Sequence, residues 1–571
     1  MQEGGHIMDR KALPIGYEDF GEIISNNFYY VDKTLFIKEL LDKKGKANLF
    51  TRPRRFGKTL NMSMLRYFFE DTGKEECNAE NKKLFDGLEI MSAGEKYLSH
   101  MQKYPVISLS LKSAKQPTWE LAYTMLKRQI AVEFVRHHHV LDKLSLFDQE
   151  RFSLIEQQVG DIGLYIDALS FLSKCLHEGY GQTVIILIDE YDVPLENAYF
   201  NGFYQQMIDF IRSLFESALK TNPHLYFAVI TGCLRITKES IFTGLNNFDN
   251  VSILSKIYDE YFGFTRKDVD ELLASYDLTD KKEIIRKWYD GYLFGKTEIY
   301  NPWSIINYVK ALTADPNEAP GTYWSNTSSN NIIHALIERA DLSDRMEIED
   351  LIAGGTIEKP IHEEITYEDV YQSTDNLWNF LFFTGYLKNS GLRMIGNQIY
   401  LALSIPNIEV CQIYKDKILG WFSDKVEQKD LSILYQDILN GNAPEFQAGL
   451  TELLQDTISF YDNAEAFYHG FMQGILGHLR NYIVMTNRES GDGRYDMLIR
   501  SLDVTKPLIL MEFKTAKNFP SLESRAQEAL EQIAEKEYDR EFKNEGYQRS
   551  IRYGIAFYKK NCCIKKEEVT L

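Results

Sequence analysis

The sequence predicts an α/β protein made of two sheet-and-helix modules, a large one toward the N-terminus and a smaller one at the C-terminus. Three observations predict it. Residues 45–260 alternate short apolar runs with longer helical patterns, and the chain from about residue 461 onward returns to the same alternation. No apolar run approaches the ~18–20 residues needed to span a bilayer, and the longest clear one, Val184–Ile188, has the length of a strand. With 571 residues there is room for about three or four domains, and 44% hydrophobic residues can fill several cores.

Taken in order, strands are predicted over Ala47–Phe50, Val106–Leu111, Val184–Ile188 and Leu225–Ile230. Separated by helical stretches, they read as a mostly parallel sheet covered on both faces. This first domain is expected over residues 1–260. Residues 261–350 read as helical, as in TRKDVDELLASY and KKEIIRKWYDGYLF, and suit a helical lid. A mixed, α-rich middle segment follows over 351–460, where the aromatic run LWNFLFFTGYL reads as core. The last domain, 461–571, is expected to hold a helix over Ala464–Arg480, strands over Tyr495–Ile499 and Leu508–Phe513, and a helix from Leu522.

The totals narrow the function classes. The N-terminal MQEGGHIMDRK has no apolar core, so it does not read as a secretory signal, and Met8 is an alternative start. Six cysteines are scattered without a CxxC pair, which argues against a zinc site or a disulfide framework and fits a reducing cytoplasm. The net charge of −19 is uneven. From Asp462 onward 17 Lys+Arg balance 17 Asp+Glu, leaving 47 of the 64 basic and 66 of the 83 acidic residues in the first 461. A phosphate backbone would therefore approach the C-terminal module more readily than the rest.

The strongest N-terminal motif is RPRRFGKT, Arg52–Thr59, between a predicted strand and a predicted helix. It has the layout of a P-loop, in which backbone N–H groups at a helix N-terminus wrap phosphates. Gly57 suits close approach of backbone to phosphate, Lys58 would reach the β- and γ-phosphates, and the Thr59 hydroxyl would bind Mg²⁺. Arg54 and Arg55 join these as candidate nucleotide contacts. The pattern G-x-x-x-x-G-K-[ST] is broken at its first position, where Arg52 replaces glycine. That departure bears on loop geometry and on efficient ATP hydrolysis. Downstream, VIILIDEYD is a buried strand ending in Asp189 and Glu190, as a Walker B element requires. Asp189 would hold Mg²⁺ and Glu190 would orient or deprotonate the attacking water. After the strand Leu225–Ile230, Thr231 and Arg235 stand where they could touch the γ-phosphate, although an ordinary loop arginine fits the spacing nearly as well.

These segments, together with LPIGYEDFGEII, YYVDKTLFIKELL and ITGCLRITKESIFTGLNNF, resemble the AAA-ATPase-like family of bacterial proteins. Members of that family pair a P-loop NTPase-type parallel sheet and helical lid with a C-terminal PD-(D/E)XK nuclease domain. The resemblance covers about the first 300 residues and then the last 110 or so. It implies that arginine at the first glycine position is usual, and it places Arg235 inside a family motif.

The second constellation is RESGDGRYDMLIR followed by PLILMEFKTAK. Asp496 lies on one predicted strand, and Glu512 and Lys514 lie on the next. Two residues apart on a strand, Glu512 and Lys514 share a face, and a hairpin would bring Asp496 beside them. Gly491 and Gly493 mark the turn before Asp496. Two carboxylates and the Phe513 carbonyl suit a hard cation such as Mg²⁺, which would activate water and neutralise charge on the phosphate. Lys514 would position the nucleophile. E-x-K triplets are common, and a surface hairpin with an ion pair is the plain alternative. A hydrophobic strand rarely ends inward with Glu and Lys unless they are paired or bind something. Resemblance to RecB-type members of the superfamily adds His469 or Glu465 on the preceding helix as metal-side groups, and Gln532 with Tyr538 as a helix pair that orients water or phosphate. The run His137–His139 ends an amphipathic helix and reads as a solvated helix end, since consecutive residues cannot share one face.

The sequence thus describes an α/β chain with a P-loop NTPase-type sheet and a restriction-endonuclease-like C-terminal domain. Its expected cofactors are ATP and Mg²⁺, and its expected partner is nucleic acid, DNA in preference to RNA, with no membrane. The alternative is a nucleotide-dependent switch or scaffold whose C-terminal domain grips nucleic acid or a partner without cutting.

Overall fold

The computed structural model describes residues 10–235, 248–324, 342–363, 367, 373–395, 398–427, 431–457, 465–477, 479, 481–490 and 493–571. The chain divides into two compact units, Met1–Thr327 with Glu358–Cys411, and Ser328–Ile357 with Gln412–Leu571. This division does not follow residues 260, 350 and 460, and the expected middle segment is shared between the units.

The first unit is centred on a five-stranded sheet of β1 (Ala47–Thr51), β2 (Val106–Ser110), β3 (Val184–Asp189), β4 (Leu225–Gly232) and β5 (Phe248–Val251). Its order is β2-β3-β4-β1-β5, and each neighbouring pair is parallel. Every residue of β1 and β3 is buried, as expected of strands covered on both faces. The order puts β4 between β1 and β3. Their carboxyl ends therefore meet in one place, and in open α/β sheets that edge is where ligands bind.

Residues 261–350 are less uniformly helical than their pattern suggests. Helices Arg266–Ser275, Lys282–Tyr289 and Pro302–Ala314 flank a small antiparallel sheet of β6 (Phe264–Thr265), β7 (Tyr292–Phe294) and β8 (Thr297–Tyr300), in the order β6-β8-β7. The next stretch, expected to be α-rich, also carries a sheet, formed by β9 (Ile357–Pro360), β10 (Lys388–Ile395) and β11 (Gln398–Ser404). Among the described residues, no helix is long and apolar enough to cross a membrane.

The second unit is built on β12 (Ile483–Ser490), β13 (Gly493–Arg500), β14 (Leu508–Thr515), β15 (Arg549–Tyr558) and β16 (Asn561–Thr570), hydrogen-bonded in that order. All pairs are antiparallel except β14–β15. The parallel pair needs a crossover, and helix Leu522–Glu535 provides it. That helix lies so close to β15 that a Cβ on Gly554 would come 2.2 Å from the Ala526 carbonyl oxygen, so only glycine fits there. Helix Glu465–Leu476 precedes the sheet.

Candidate functional sites

The first cluster forms where β1, β3 and β4 end. The chain leaves β1 through Arg52, and helix Lys58–Phe69 starts directly after Gly57. Gly57 has φ +82°, in the left-handed region, and a Cβ there would meet nothing within 4 Å. Backbone conformation, not crowding, calls for glycine at this turn. Lys58 is buried, and its Nζ donates to the carbonyl oxygens of Arg52 (2.9 Å) and Pro53 (2.8 Å), so it lies across the loop it would serve. Thr59 Oγ1 donates to Asp189 Oδ2 at 2.7 Å, and Thr231 Oγ1 donates to the other oxygen, Oδ1. One buried carboxylate thereby joins the loop helix to two strand ends. Glu190 follows with φ +54°. Burial raises the pKa of its carboxyl and the Asp189 charge adds to this, while Lys112 and Lys58 oppose it.

The three loop arginines part company. Arg52, at the position where a P-loop has its first glycine, is 0% exposed and turns into the core. Its guanidinium donates to the carbonyls of Thr51 (2.9 Å), Val251 (2.7 Å) and Tyr258 (3.3 Å) and lies over the rings of Phe262 and Phe294. Burial lowers its pKa to about 9. Arg54 pairs with Glu196 at 2.5 Å. Arg55, at φ +68°, donates to the Tyr323 carbonyl at 2.9 Å and stacks 4.3 Å over the Trp303 ring. Arg235 is partly buried three residues beyond β4, and Ile236–Ser240 of its expected motif lie outside the described residues.

One residue of this cluster escaped the sequence reading. Asp192 is 3% exposed, and its Oδ2 accepts the backbone N–H groups of Cys233 (2.7 Å) and Leu234 (3.1 Å), which fixes the turn after Thr231. Its Oδ1 has no partner, and burial raises its pKa. The signal was present as a second aspartate three residues after Asp189 in IDEYD.

The second cluster lies at one end of the β13–β14 pair. The ladder ends at Met497↔Met511, which leaves Asp496 and Glu512 as the next opposed positions. Directly opposed residues lie on the same face, about 4.5–5.5 Å apart at Cβ. Beyond the ladder, Asp496 Oδ2 accepts the Phe513 N–H at 2.7 Å. The N–H and C=O of a strand residue point to the same side, so the Phe513 carbonyl points to the side of β13. Glu512 is 3% exposed. Its Oε1 accepts from Gln532 Nε2 and lies 3.6 Å from Lys514 Nζ, while its Oε2 is buried with no partner. Burial pushes this carboxyl up to about 8, with the Asp496 charge adding and Lys514 opposing. Gln532 Nε2 also lies 3.3 Å from the Tyr538 hydroxyl.

A divalent ion suits this donor set. The unpartnered Glu512 oxygen, the Asp496 carboxylate and the Phe513 carbonyl are hard oxygen ligands on facing edges. His469 does not complete a third side chain, because its Nε2 faces the Asp496 carbonyl oxygen at 3.0 Å and its ring packs edge-on against Phe513. Among the described residues, no three His, Cys, Asp or Glu side chains gather closely enough to hold a metal. The side chain of Glu465 and the residue Gly491 lie outside the described residues.

Comparison with known proteins gives two family matches. The model of a predicted AAA-ATPase family matches residues 14–242, and that of the PD-(D/E)XK nuclease superfamily matches residues 463–567. A relative from Azotobacter chroococcum mcd 1, the uncharacterized protein of the vnfD 5′ region, is 25% identical over 561 residues, covering 94% of this chain and 95% of the relative. The chain therefore carries a segment similar to the predicted AAA-ATPase family, followed by a segment similar to the PD-(D/E)XK nuclease superfamily.

Proposed function

We propose that the chain is a cytoplasmic ATP-binding hydrolase whose C-terminal domain cuts phosphodiester bonds in nucleic acid, DNA in preference to RNA. One observation carries the cleavage reading. Asp496, the unpartnered oxygen of Glu512 and the amine of Lys514 converge where β13 and β14 part, in the stretch from Asp462 onward where basic and acidic residues balance. Mg²⁺ held by Asp496, Glu512 and the Phe513 carbonyl would supply an activated water and charge to offset the phosphate. Lys514 would hold that water in line with the phosphorus, which gains the water oxygen as its bond to the leaving oxygen breaks. Gln532 fixes the Glu512 carboxylate, and His469 fixes the Asp496 backbone, so both are positioning residues.

At the first cluster, the turn at Gly57 and the N-terminus of helix Lys58–Phe69 would receive the phosphates. Lys58 would exchange its two loop carbonyls for phosphate oxygens. Thr59 and Asp189 already share a hydrogen bond and suit a common Mg²⁺, and Thr231 holds the same carboxylate. Glu190 stands next to them with a raised pKa, as a base for the attacking water does. Six cysteines with no disulfide between them suit a reducing compartment.

The test has two arms. Mg²⁺-dependent plasmid cleavage should be lost in Lys514→Ala, and cleavage that survives this change would end the nuclease assignment. ATP turnover should fall in Lys58→Ala and in Glu190→Gln. Turnover unchanged in both would move the ATP site elsewhere. Tight ATP binding without turnover in the wild type would favour the switch reading.

A further inference from the structure

The end of the second unit's sheet that carries Asp496, Glu512 and Lys514 has a second feature. Because β14 and β15 run parallel, with Thr515 opposite Phe557, the connections after both strands emerge at this same end. After β14 comes Lys517–Pro520, an exposed run, and Phe519 within it is 61% exposed. After β15 comes the Lys559–Lys560 turn. Phe519 is not on a loose loop. Asn518 Oδ1 accepts the Ser521 N–H at 3.0 Å, Ser521 Oγ donates back to the Asn518 carbonyl at 2.8 Å, and helix Leu522–Glu535 follows at once. Arg525, one turn into that helix, donates to the Thr515 carbonyl at 3.2 Å and ties the helix start to the strand end.

An apolar ring held out in water by a rigid turn gains nothing from folding, since it buries little surface. Lys517 lies two residues before Phe519, and Lys514 at the end of β14 and Lys559 and Lys560 in the turn after β15 add positive charge at the same end. Glu523 in the first turn of the helix pairs with Lys565, and Glu528 at its middle pairs with Arg525. Phe519 is seven residues beyond Glu512, so the two backbones are at most roughly 25 Å apart, and less because the chain turns. That span corresponds to a few nucleotides of single strand.

We propose that Phe519 is a stacking platform for an unpaired base, set in a basic rim that tracks the phosphates, and that the C-terminal domain engages single-stranded nucleic acid or a frayed end. Stacking on an aromatic face tolerates any base, whereas a closed duplex offers no free face except at its termini. The proposal rests on the nuclease reading and specifies its substrate.

The experiment measures binding of the full chain, with Ca²⁺ in place of Mg²⁺, to a fluorescein-labelled oligo(dT) of about twenty nucleotides and to its duplex with oligo(dA), a length that exceeds common single-strand site sizes. Phe519→Ala should weaken oligo(dT) binding roughly 5- to 150-fold and leave duplex binding within about 2-fold. Phe519→Trp should retain the oligo(dT) affinity, and both variants should melt as the wild type does. Lys517→Ala should weaken both probes alike and reduce the salt slope by about one. Equal oligo(dT) affinity for wild type and Phe519→Ala overturns the stacking proposal alone. Wild-type binding to neither probe overturns it together with the nuclease reading.

Discussion

Thr59 donates its hydroxyl to Asp189 across 2.7 Å, joining the first turn of the helix after β1 to the last residue of β3. If both groups serve one Mg²⁺, Thr59→Val should lower the affinity for MgATP at least about tenfold while metal-free ATP binds as before. The same change removes a donor from a carboxylate only 6% exposed, which should cost about 1–3 kcal/mol of stability. Calorimetric titration with and without Mg²⁺ checks the first expectation and denaturant melts the second. An equal loss of ATP affinity in both titrations would remove Thr59 from the metal.

Arg52 offers a sharper prediction, because the motif alone invites the wrong experiment. Replacing it with glycine would restore the usual P-loop pattern. In the structure its guanidinium reaches three backbone carbonyls in a fully buried setting. Arg52→Gly should therefore lose roughly 3 kcal/mol or more, leaving carbonyls unpaired and a cavity between Phe262 and Phe294. ATP turnover per folded molecule should not rise. A variant with wild-type melting and faster turnover would contradict this account.

Arg52 also shows where sequence reading stops. β1 to β4 are legible because mostly buried strands are written as largely apolar runs, and the motifs follow from their ends. β5, FDNV, is a short edge strand with the polar Asp249 and Asn250 at its centre, so no apolar run marks it. The edge strand β16, NCCIKKEEVT, is masked by its lysines and glutamates, and β10 by Leu392 and Met394, which face solvent. The pairing of Asp496 with Glu512 could be read from spacing, since a ladder obeys a period of two. Which way Arg52, Arg55 and His469 turn could not, because that depends on carbonyls and rings brought in from distant segments.

Gln532 reaches Glu512 from helix Leu522–Glu535 and holds one of its two oxygens. Gln532→Leu keeps the side chain's size and removes the donor. It should slow Mg²⁺-dependent cleavage about 10- to 100-fold and raise the Mg²⁺ concentration needed for half-maximal rate. The helix packs through Ala526, Ala529, Leu530 and Ile533, so melting should change little. A cleavage rate and Mg²⁺ requirement equal to the wild type's would leave Gln532 with no positioning role.

Glu409 is the clearest pH-sensitive group outside the two clusters. Its carboxylate, 1% exposed, accepts the Trp324 N–H and the Ser304 hydroxyl at 2.8 Å each. Burial nevertheless raises it from its usual 4.5 to about 7, and the partly buried Arg55 guanidinium is too weak a counter-charge to prevent this. Between those values the folded chain keeps a proton that the unfolded chain has released. Stability from this group is therefore fully present below pH 4.5, falls as pH rises through about 7, and is flat above. The span from 4.5 to about 7 corresponds to at most about 3–4 kcal/mol. Glu409→Gln cannot titrate, so its stability curve should lack this decline and gain on the wild type as pH rises. Urea melts of both proteins from acid to mildly alkaline pH measure the difference, and two curves of the same slope would show that Glu409 titrates alike in the folded and unfolded chains.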